Sequence, residues 1–341
     1  MNDESPQADV PMNISLYLQY RRFFPVPRKV YEPVATSDEL IDAIRRRVTG
    51  LGGKLGILLS GGMDSALVAG CIPHSYTAYT FDYGEDRAHL SEYSEAARYL
   101  THGAEHKRFG VTRDAYFKAM DELICLLQQP VVPHAPAVYL AALRARADGC
   151  THLLTGFSAD TRFGGHGHLY KAQTKEELGE MLDKQFANPE KVLRSPQPSK
   201  WVLDGFVTDG RIDVAEFLKR VGTEGASVIG AITQAGLIHV TPFTELEWNR
   251  GGEQISKGKE LVKKACITLY PEVGVNKKKP LPLPYNQWFE DYQPTRSELL
   301  PQAGKYMDGK RRSLVYAVER YLALREEHGW TVPEANGVFS D

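Results

Sequence analysis

The sequence predicts an α/β protein with a doubly wound parallel sheet, followed by a helical C-terminal part. Short apolar segments alternate with helical segments up to about residue 170, and this alternation is typical of parallel βαβ units. From about residue 171 the pattern changes to helices and loops, including the polar stretch PEKVLRSPQPSK. We therefore expect an N-terminal arm (1–35), an α/β core (36–170), a helical part (171–330) and a flexible tail (331–341).

The individual elements follow from apolar spacing and from capping residues. The first predicted helix begins at Ser37-Asp38-Glu39, a capping pattern, and continues with apolar residues at 40, 41, 44 and 48. The first strand, Leu55–Leu59, has four apolar residues in five, which is typical of a strand buried on both faces. The other predicted strands are 76–81, 106–111 and 151–155, and the other core helices begin near 64 and cover 92–100, 114–129 and 137–147.

The composition limits the classes of function. The chain has 341 residues with 41 basic and 43 acidic side chains, so nothing indicates a nucleic-acid footprint. The four cysteines are scattered without a C-x-x-C pair, which argues against a zinc site, a disulfide framework and a thiol-relay sulfur transferase. No apolar run reaches the roughly 18–20 residues of a membrane span, and the acidic, polar N-terminus lacks a signal-peptide pattern. We expect a cytoplasmic protein with no nucleic-acid or membrane partner.

The stretch from Lys54 to Ser65, KLGILLSGGMDS, is the most informative part of the chain. It indicates a buried strand, a turn at 60–62 and the start of a helix. Two glycines allow a tight turn and a close approach to a ligand, and the N–H groups at the helix start attract anions. We predict a phosphate-binding loop here, although two glycines alone would equally fit an ordinary strand-to-helix turn. The Walker spacing G-x-x-x-x-G-K-[ST] is absent.

Two motif strings resemble a known family. The string SGGMDS at 60–65 resembles the PP-loop of the ATP pyrophosphatases, and LTGFSADTRFGGH at 154–166 resembles the second signature of the asparagine synthetase family. Further landmarks follow in the family's order at 242–245 (PFTE), at 258–259 (GK) and at 270–279, which ends in three lysines. The chain therefore resembles, over about residues 35–290, the synthetase domain shared by asparagine and β-lactam synthetases. The implied fold is the adenine nucleotide alpha hydrolase-like sheet of the PP-loop enzymes.

The resemblance implies an enzyme that uses ATP and Mg²⁺ to adenylate a carboxylate. Asp64 and Asp160 match the family's metal-binding positions. Lys279 matches a lysine that stabilises negative charge on the tetrahedral intermediate, and Lys259 matches a second, phosphate-facing lysine. Taken alone, either lysine would be interpreted as a solvated surface residue. The residues implied to contact ATP or pyrophosphate are Leu58, Ser60, Gly61, Gly62, Asp64, Ser65, Phe81, Tyr83, Thr155 and Gly156.

Two features depart from the family pattern. The glutaminase of the ammonia-using members begins with a catalytic cysteine, whereas the first cysteine here is Cys71. We therefore expect no glutaminase in this chain and a nitrogen supply from free ammonia, an amine substrate or a separate partner. Phe157 stands where asparagine synthetases have a Glu and β-lactam synthetases a Tyr, each of which helps to deprotonate the nucleophile, and a phenyl ring accepts no proton. Either the nucleophile arrives already deprotonated, as a weakly basic one such as hydroxylamine or a hydrazine would, or a base comes from elsewhere, and the sequence slightly favours the first branch. Glu224 is the first candidate for such a base, with His239 and His166 as alternatives, and Phe157 and His166 are expected to line the substrate pocket.

The predicted function is that of an ATP-dependent synthetase in specialised metabolite biosynthesis. It would adenylate a small carboxylate, release pyrophosphate and form an amide or a related acyl–nitrogen bond. The alternatives are an adenylating transferase that passes the acyl group to a thiol or carrier, and a non-catalytic nucleotide-binding subunit. The expected partners are the carboxylate and a nitrogen nucleophile, and both a separate ammonia or amine supplier and an oligomer are compatible with the sequence.

Overall fold

The computed structural model describes residues 14, 17–18, 30–83, 92–197, 199–221, 225–249, 258–273, 283–304 and 308–331. The strands in this part of the chain are β1 (Glu32–Val34), β2 (Leu55–Leu58), β3 (Thr77–Asp82), β4 (Glu105–Gly110), β5 (His152–Leu154), β6 (Val207–Thr208), β7 (Arg211–Ile212), β8 (Ile238–Val240) and β9 (Leu246–Trp248). The helices are α1 (Ser37–Thr49), α2 (Met63–Cys71), α3 (Glu92–Ala97), α4 (Arg113–Leu127), α5 (Ala135–Ala147), α6 (Ala159–Arg162), α7 (Lys175–Gln185), α8 (Pro189–Val192), α9 (Val214–Arg220), α10 (Gly225–Gln234), α11 (Glu260–Leu269), α12 (Tyr285–Trp288) and α13 (Gly309–His328). Short 3₁₀ segments cover Leu169–Lys171, Lys200–Phe206 and Pro242–Glu245.

Five of the described strands form the central sheet, in the order β4-β3-β2-β5-β8. Every neighbouring pair in this sheet is parallel, which confirms the predicted α/β fold with a doubly wound parallel sheet. The chain builds one side of the sheet through β2, β3 and β4, and then returns to build the other side through β5 and β8. The strand order therefore reverses between β2 and β5. In sheets of this kind ligands bind outside the carboxyl ends of the strands at the reversal point.

The fifth strand of the sheet corrects the sequence analysis, which expected only helices and loops beyond residue 171. Ile238–Val240 pairs with β5 in a register that joins His152 to Ile238 and Leu154 to Val240. The strand has three residues, lies at the edge of the sheet, and leaves Ile238 58% exposed. A segment this short shows no measurable alternation of apolar and polar residues, so the sequence contains no periodic signal that would predict a strand here. Three further short strands lie in the same region: β6 pairs with β7, and β9 pairs with β1 from the N-terminal part of the chain.

Helix α1 is capped one residue earlier than predicted. The cap is Thr36, whose side chain accepts a hydrogen bond from the Glu39 N–H at 3.2 Å. In return, the Glu39 carboxylate accepts from the Thr36 N–H at 3.4 Å and from the Ala35 N–H at 2.7 Å. The prediction of a cap at Ser37 is therefore wrong by one position, because the capping-box spacing S/T-x-x-E runs from Thr36 to Glu39.

Helices cover both faces of the sheet. On one face α4, α5, α10 and α13 pack with Leu58 and Tyr79 of the sheet, and on the other α1, α2 and α11 pack against Leu55 and Ile57. Tyr17, from the segment that precedes β1, is fully buried in the first of these layers. These two layers hold the sheet rigid beneath its carboxyl edge.

A buried carboxylate ties the C-terminal helix α13 to the loop before it. Glu319 is 8% exposed and accepts hydrogen bonds from the Tyr292 hydroxyl (2.7 Å), from the Thr295 N–H (2.6 Å) and hydroxyl (2.8 Å), and from the Arg296 N–H (2.9 Å). Burial by itself would raise the pKa of Glu319, but the hydrogen bonds to its charged form outweigh burial, so the pKa is lowered. The ionised carboxylate therefore holds this loop in place.

The cysteines and the helix lengths give two further facts about the chain. All four cysteines lie in the described part and are free thiols. Burial raises the pKa of the Cys71 and Cys266 thiols to about 12, so both stay protonated at neutral pH. None of the described helices combines the length and the hydropathy needed to cross a membrane.

Candidate active site

The two motif strings meet at the carboxyl edge of the sheet, beside the point where the strand order reverses. Strand β2 leads directly into residues 60–65, and β5 leads into Thr155 and Gly156. Gly156 packs against the first turn of α2: a Cβ on it would lie 2.6 Å from the Ser65 nitrogen and 2.8 Å from the Asp64 Cβ. Only glycine allows this approach, so Gly156 brings the second motif into contact with the first.

Two serine hydroxyls organise the predicted phosphate loop. The Ser65 Oγ accepts a hydrogen bond from the Ser60 N–H at 3.2 Å, lies 3.3 Å from the Ser60 Oγ, and donates to the Gly62 carbonyl at 3.2 Å. Gly61 has a φ of +73°, a conformation that favours glycine. Gly62 is the N-cap of α2 and offers no side-chain acceptor to the N–H groups of the first turn. A helix start of this kind is suited to bind an anion.

Asp160 is positioned by an unusual turn in the second motif. The residue before helix α6, Ser158, has a φ of +71°, and a residue with a side chain in this conformation stores strain that is typical of functional sites. Gly165 lies directly against Asp160, because a Cβ on Gly165 would be 1.7 Å from the Asp160 Oδ1. The Gly165 N–H also donates to the Asp160 carbonyl at 2.7 Å. The Asp160 carboxylate therefore occupies space that is available only because Gly165 has no side chain.

Lys259 joins the carboxylates of the two motifs. Its Nζ lies 2.7 and 2.5 Å from the two carboxylate oxygens of Asp64 and 2.7 Å from the Asp160 Oδ1. The Lys259 side chain is only 5% exposed, so the interpretation of Lys259 as a solvated surface residue is wrong. Burial by itself would lower the pKa of Lys259, but the two carboxylates outweigh burial and the pKa is raised. The site therefore contains one buried cation between two anions.

Lys259 lies 195 residues after Asp64 in the sequence, and helix α11 brings it to this position. Lys259 is the N-cap of α11, and α11 packs directly on α2. The Tyr270 hydroxyl donates to the Ala66 carbonyl at 3.0 Å, and the Cys266 thiol donates to the Met63 carbonyl at 3.2 Å. The position of the ammonium is therefore set by contacts between these two helices.

Aromatic side chains follow strand β3 at the same edge of the sheet. The rings of Phe81 and Tyr83 stack with their centroids 6.0 Å apart. Phe109 of β4 lies 6.4 Å from Phe81, and Trp288 of α12 lies 6.1 Å from Tyr83. Aromatic faces of this kind can stack on a purine base, and the contact of Phe81 and Tyr83 with ATP stays a prediction.

Phe157 lies between two imidazole rings. Its ring centroid is 5.8 Å from that of His134 and 6.4 Å from that of His239, and its carbonyl accepts a hydrogen bond from the Thr241 hydroxyl at 2.6 Å. The Nε2 of His239 lies 2.8 Å from the Thr155 Oγ1, and burial lowers the pKa of His239 to about 4. The sequence analysis named Phe157 and His239 but missed His134, because nothing in the string QPVVPHAPA distinguishes a site histidine from a loop histidine.

The roles of three other predicted site residues stay predictions. The ring of His166 lies 6.5 Å from that of His168. Glu224 and Lys279 lie outside the described residues, together with the lysines at 277 and 278 that precede Lys279.

The sequence was compared with known protein families and with curated proteins. The family model of asparagine synthase matches residues 35–221, more than half of the chain. The chain belongs to the asparagine synthase family. This membership confirms the resemblance that the two motif strings indicated and is consistent with the observed α/β architecture.

Curated asparagine synthetases resemble the same half of the chain. A glutamine-hydrolyzing asparagine synthetase from Brassica oleracea is 29% identical over 169 residues, which cover 45% of this chain and 28% of the relative. A glutamine-hydrolyzing asparagine synthetase from Lotus japonicus is 30% identical over 170 residues, with coverage of 45% and 28%. A putative one from Methanocaldococcus jannaschii is 29% identical over 163 residues, with coverage of 45% and 29%. The matched part thus spans less than a third of the length of these relatives.

Asp64 and Asp160 fit a magnesium ion by their chemistry. Their oxygens converge on one cation, the Lys259 ammonium, and Mg²⁺ prefers oxygen ligands. Among the described residues no group of three or more His, Cys, Asp or Glu side chains is arranged to hold a metal. Two carboxylates are nevertheless sufficient, because Mg²⁺ usually keeps several waters and takes phosphate oxygens as its other ligands. Asp64 and Asp160 are therefore the residues that would hold the ion.

Proposed function

We propose that this protein is an ATP-dependent, AMP-forming ligase that adenylates a small carboxylate and joins it to a nitrogen nucleophile. The observation that carries the proposal is the meeting of the loop 60–65, Asp64, Asp160 and Lys259 at the reversal point of the parallel sheet. Membership of the asparagine synthase family supports an ATP-dependent ligation that forms an amide bond. An unactivated carboxylate needs ATP for this reaction because its leaving group would be oxide.

The first step is the attack of a carboxylate oxygen of the substrate on the α-phosphorus of ATP. The bond between the α-phosphorus and the bridging oxygen breaks, and pyrophosphate leaves with the electron pair. The N–H groups at the start of α2, with the hydroxyls of Ser60 and Ser65, would hold the pyrophosphate. Bound Mg²⁺, held by Asp64 and Asp160, would supply positive charge to the triphosphate. Lys259, buried beside the same carboxylates, would add a second positive charge that faces the phosphates.

The second step transfers the acyl group to nitrogen. The nitrogen lone pair attacks the acyl carbon, and AMP leaves with the electron pair of the acyl C–O bond. Negative charge develops on the carbonyl oxygen in between, and Lys279 is the group proposed to stabilise it. The further residues proposed to contact ATP are Leu58, Gly61, Gly62, Phe81, Tyr83, Thr155 and Gly156.

The acid and the nucleophile are proposed as chemical classes. The relatives are described as glutamine-hydrolyzing asparagine synthetases, whereas this chain has Phe157, in contact with two histidine rings, where the asparagine synthetase pattern has a Glu. This difference supports a small carboxylate other than that of the relatives and a role in specialised metabolite biosynthesis. The proposed nucleophile is free ammonia or a small amine, with a separate supplier as one source.

ATP–pyrophosphate exchange tests the adenylation step directly. The purified protein is incubated with Mg²⁺, ATP, labelled pyrophosphate and each acid of a panel of amino and hydroxy acids. We expect label to enter ATP only in the presence of a particular acid, which identifies the electrophile. Mass spectrometry of the product then distinguishes an amide from an acyl group passed to a thiol or carrier. Binding of ATP without exchange for any acid of the panel would refute the proposal in favour of a non-catalytic nucleotide-binding subunit.

A further inference from the structure

The proposed second step requires a proton acceptor close to Phe157. This inference rests on the proposed function, because an amide forms from ammonia or an amine only if the nitrogen loses a proton. A placed base is typically worth about 10²–10⁴-fold in the rate of such a step. Phe157 follows Gly156, which packs against the Asp64 backbone, and its phenyl ring accepts no proton. A titratable neighbour of this ring is therefore the first candidate for the acceptor.

Three titratable side chains near the two motifs are poorly suited to this task. Asp64 and Asp160 bind the Lys259 ammonium, and both are needed to hold Mg²⁺. His239 contacts the Phe157 ring, but its Nε2 is within 2.8 Å of a threonine hydroxyl. Burial lowers the pKa of His239 to about 4. Its imidazole is therefore a weak base, and an imidazolium formed there would lose its proton again at neutral pH.

His134 is the second imidazole against the Phe157 ring and is held rigidly. It is 7% exposed, and it is the residue directly before helix α5. Hydrogen bonds hold the backbone of the three residues that precede it. The Tyr17 hydroxyl donates to the Val131 carbonyl and the Tyr116 hydroxyl donates to the Pro133 carbonyl, both at 2.6 Å. The N–H of residue 132 also donates to the Ser227 hydroxyl of α10 at 3.4 Å. Contacts from three separate elements therefore hold the backbone that leads into His134, and the imidazole lies against the Phe157 ring.

We propose that His134 is the proton acceptor for the nitrogen nucleophile. The His134 imidazole takes one proton from the bound ammonium or alkylammonium ion, which frees the nitrogen lone pair. This lone pair forms the new C–N bond, AMP leaves with the electron pair of the acyl C–O bond, and the second proton leaves the nitrogen through the departing phosphate to solvent. The imidazolium then returns its own proton to solvent before the next turnover. An imidazole suits this role because it can accept a proton on one ring nitrogen and release it again, as general bases do. Phe157 holds the imidazole in place by ring contact and excludes water from the acyl-adenylate.

The test compares two nucleophiles in the variant His134→Gln. The acid that supports exchange in the wild-type protein is used as substrate, with either ammonia or hydroxylamine as nucleophile. Ammonia is mostly protonated at pH 7.5 and needs a base, whereas hydroxylamine is mostly neutral and attacks without one. We expect amide formation from ammonia to fall by about 10²–10⁴-fold, hydroxamate formation to fall far less, and ATP–pyrophosphate exchange to continue near the wild-type rate. His152→Gln, at the opposite end of strand β5, is the matched control and should leave all three rates unchanged.

The outcomes separate this inference from the proposed function. Exchange with an unchanged rate of amide formation in His134→Gln refutes the role of His134 alone. An equal loss with ammonia and with hydroxylamine also refutes it, because a purely structural effect would not depend on the nucleophile. Absence of exchange in the wild-type protein refutes the proposed function and this inference with it. If His134→Gln unfolds below the assay temperature, His134→Asn replaces it. The measured quantity is again the loss of amide formation from ammonia relative to the loss of hydroxamate formation.

Discussion

Replacing Lys259 by methionine should destabilise the protein and make its stability depend on magnesium. Methionine keeps much of the length and apolar volume of the lysine stem but removes the charge. The carboxylates of Asp64 and Asp160 would then face each other without the ammonium that now lies within 2.7 Å of both. Their nearest oxygens are at most about 5 Å apart, a separation at which two charges repel by about 3 kcal/mol at an effective dielectric constant of 20.

Two further considerations set the expected magnitude. Removing one partner of a fully buried ion pair typically costs about 3–5 kcal/mol. The side chains of Asp64 and Asp160 are 26% and 35% exposed, so solvent screens part of this repulsion and the expected loss in the free energy of unfolding falls to about 2–3 kcal/mol. Mg²⁺, which we propose to bind the same carboxylates, would restore about 1.4 kcal/mol at ten times its dissociation constant.

Urea denaturation followed by tryptophan fluorescence, with and without Mg²⁺, measures both effects. Lys263→Met, at an exposed position one turn further along the same helix, is the matched control and should change neither quantity. The reasoning fails if Lys259→Met is as stable as the wild-type protein without Mg²⁺. It also fails if the same concentration of Mg²⁺ stabilises the wild-type protein as much as the variant, because removal of the ammonium would then not have strengthened the binding of the ion to these carboxylates.

Three other substitutions test the site and the fold. Asp64→Asn should keep the fold by circular dichroism and lower ATP–pyrophosphate exchange by at least about a hundredfold, because it removes one carboxylate that fits the metal. Gly156→Ala should raise the KM for ATP and lower the free energy of unfolding by about 1–3 kcal/mol, because the new Cβ would overlap the backbone at the start of α2. Glu319→Gln should lower that free energy by about 1–3 kcal/mol at pH 7. The pKa of Glu319 is lowered in the folded state, so its contribution is present above the ordinary carboxyl pKa of 4.5 and is lost as the pH falls through the folded pKa. The variant should therefore show a flatter fall in urea midpoint as the pH is lowered below 4.5.

Each of these substitutions has a control at a position with the same residue type and few contacts. Asp42→Asn has an exposed side chain, Gly205→Ala would place its Cβ in open space, and Glu176→Gln is exposed. Wild-type exchange in Asp64→Asn would exclude that carboxylate from the metal site. An unchanged KM for ATP in Gly156→Ala would contradict the packing argument. A urea midpoint that falls with pH as steeply in Glu319→Gln as in the wild-type protein would contradict the linkage argument.

The elements with local signals were predictable from the sequence. Strand β2, predicted at 55–59 and observed at Leu55–Leu58, combines an apolar run, two turn glycines and a helix start within twelve residues. Helices α4 and α5 were predicted to within two residues at each end, because their apolar spacing and the prolines between them are local features. In contrast, β8 has three residues and is a strand only because the edge of β5 offers it hydrogen bonds.

The residues of the candidate site also fall into those that a local motif predicts and those that only tertiary contacts position. Asp64 and Asp160 belong to motif strings, so the sequence predicted both as a pair of carboxylates beside a phosphate loop. His134 belongs to no motif, and its position is determined by hydrogen bonds from the Tyr17 and Tyr116 hydroxyls to the residues before it. These contacts span 114 and 17 residues of sequence, which no local pattern records.

The sequence by itself determined the α/β class, the strand–turn–helix unit at 55–71 and the two acidic positions in the motif strings, because each depends on residues that are neighbours in the chain. Only the tertiary structure decided that Lys259 is a buried cation between Asp64 and Asp160. A lysine is solvated unless packing removes it from water, and here that packing comes from α11 lying on α2 through Tyr270 and Cys266. The Nζ therefore meets a carboxylate 195 residues away, and its burial and charge state follow from that contact.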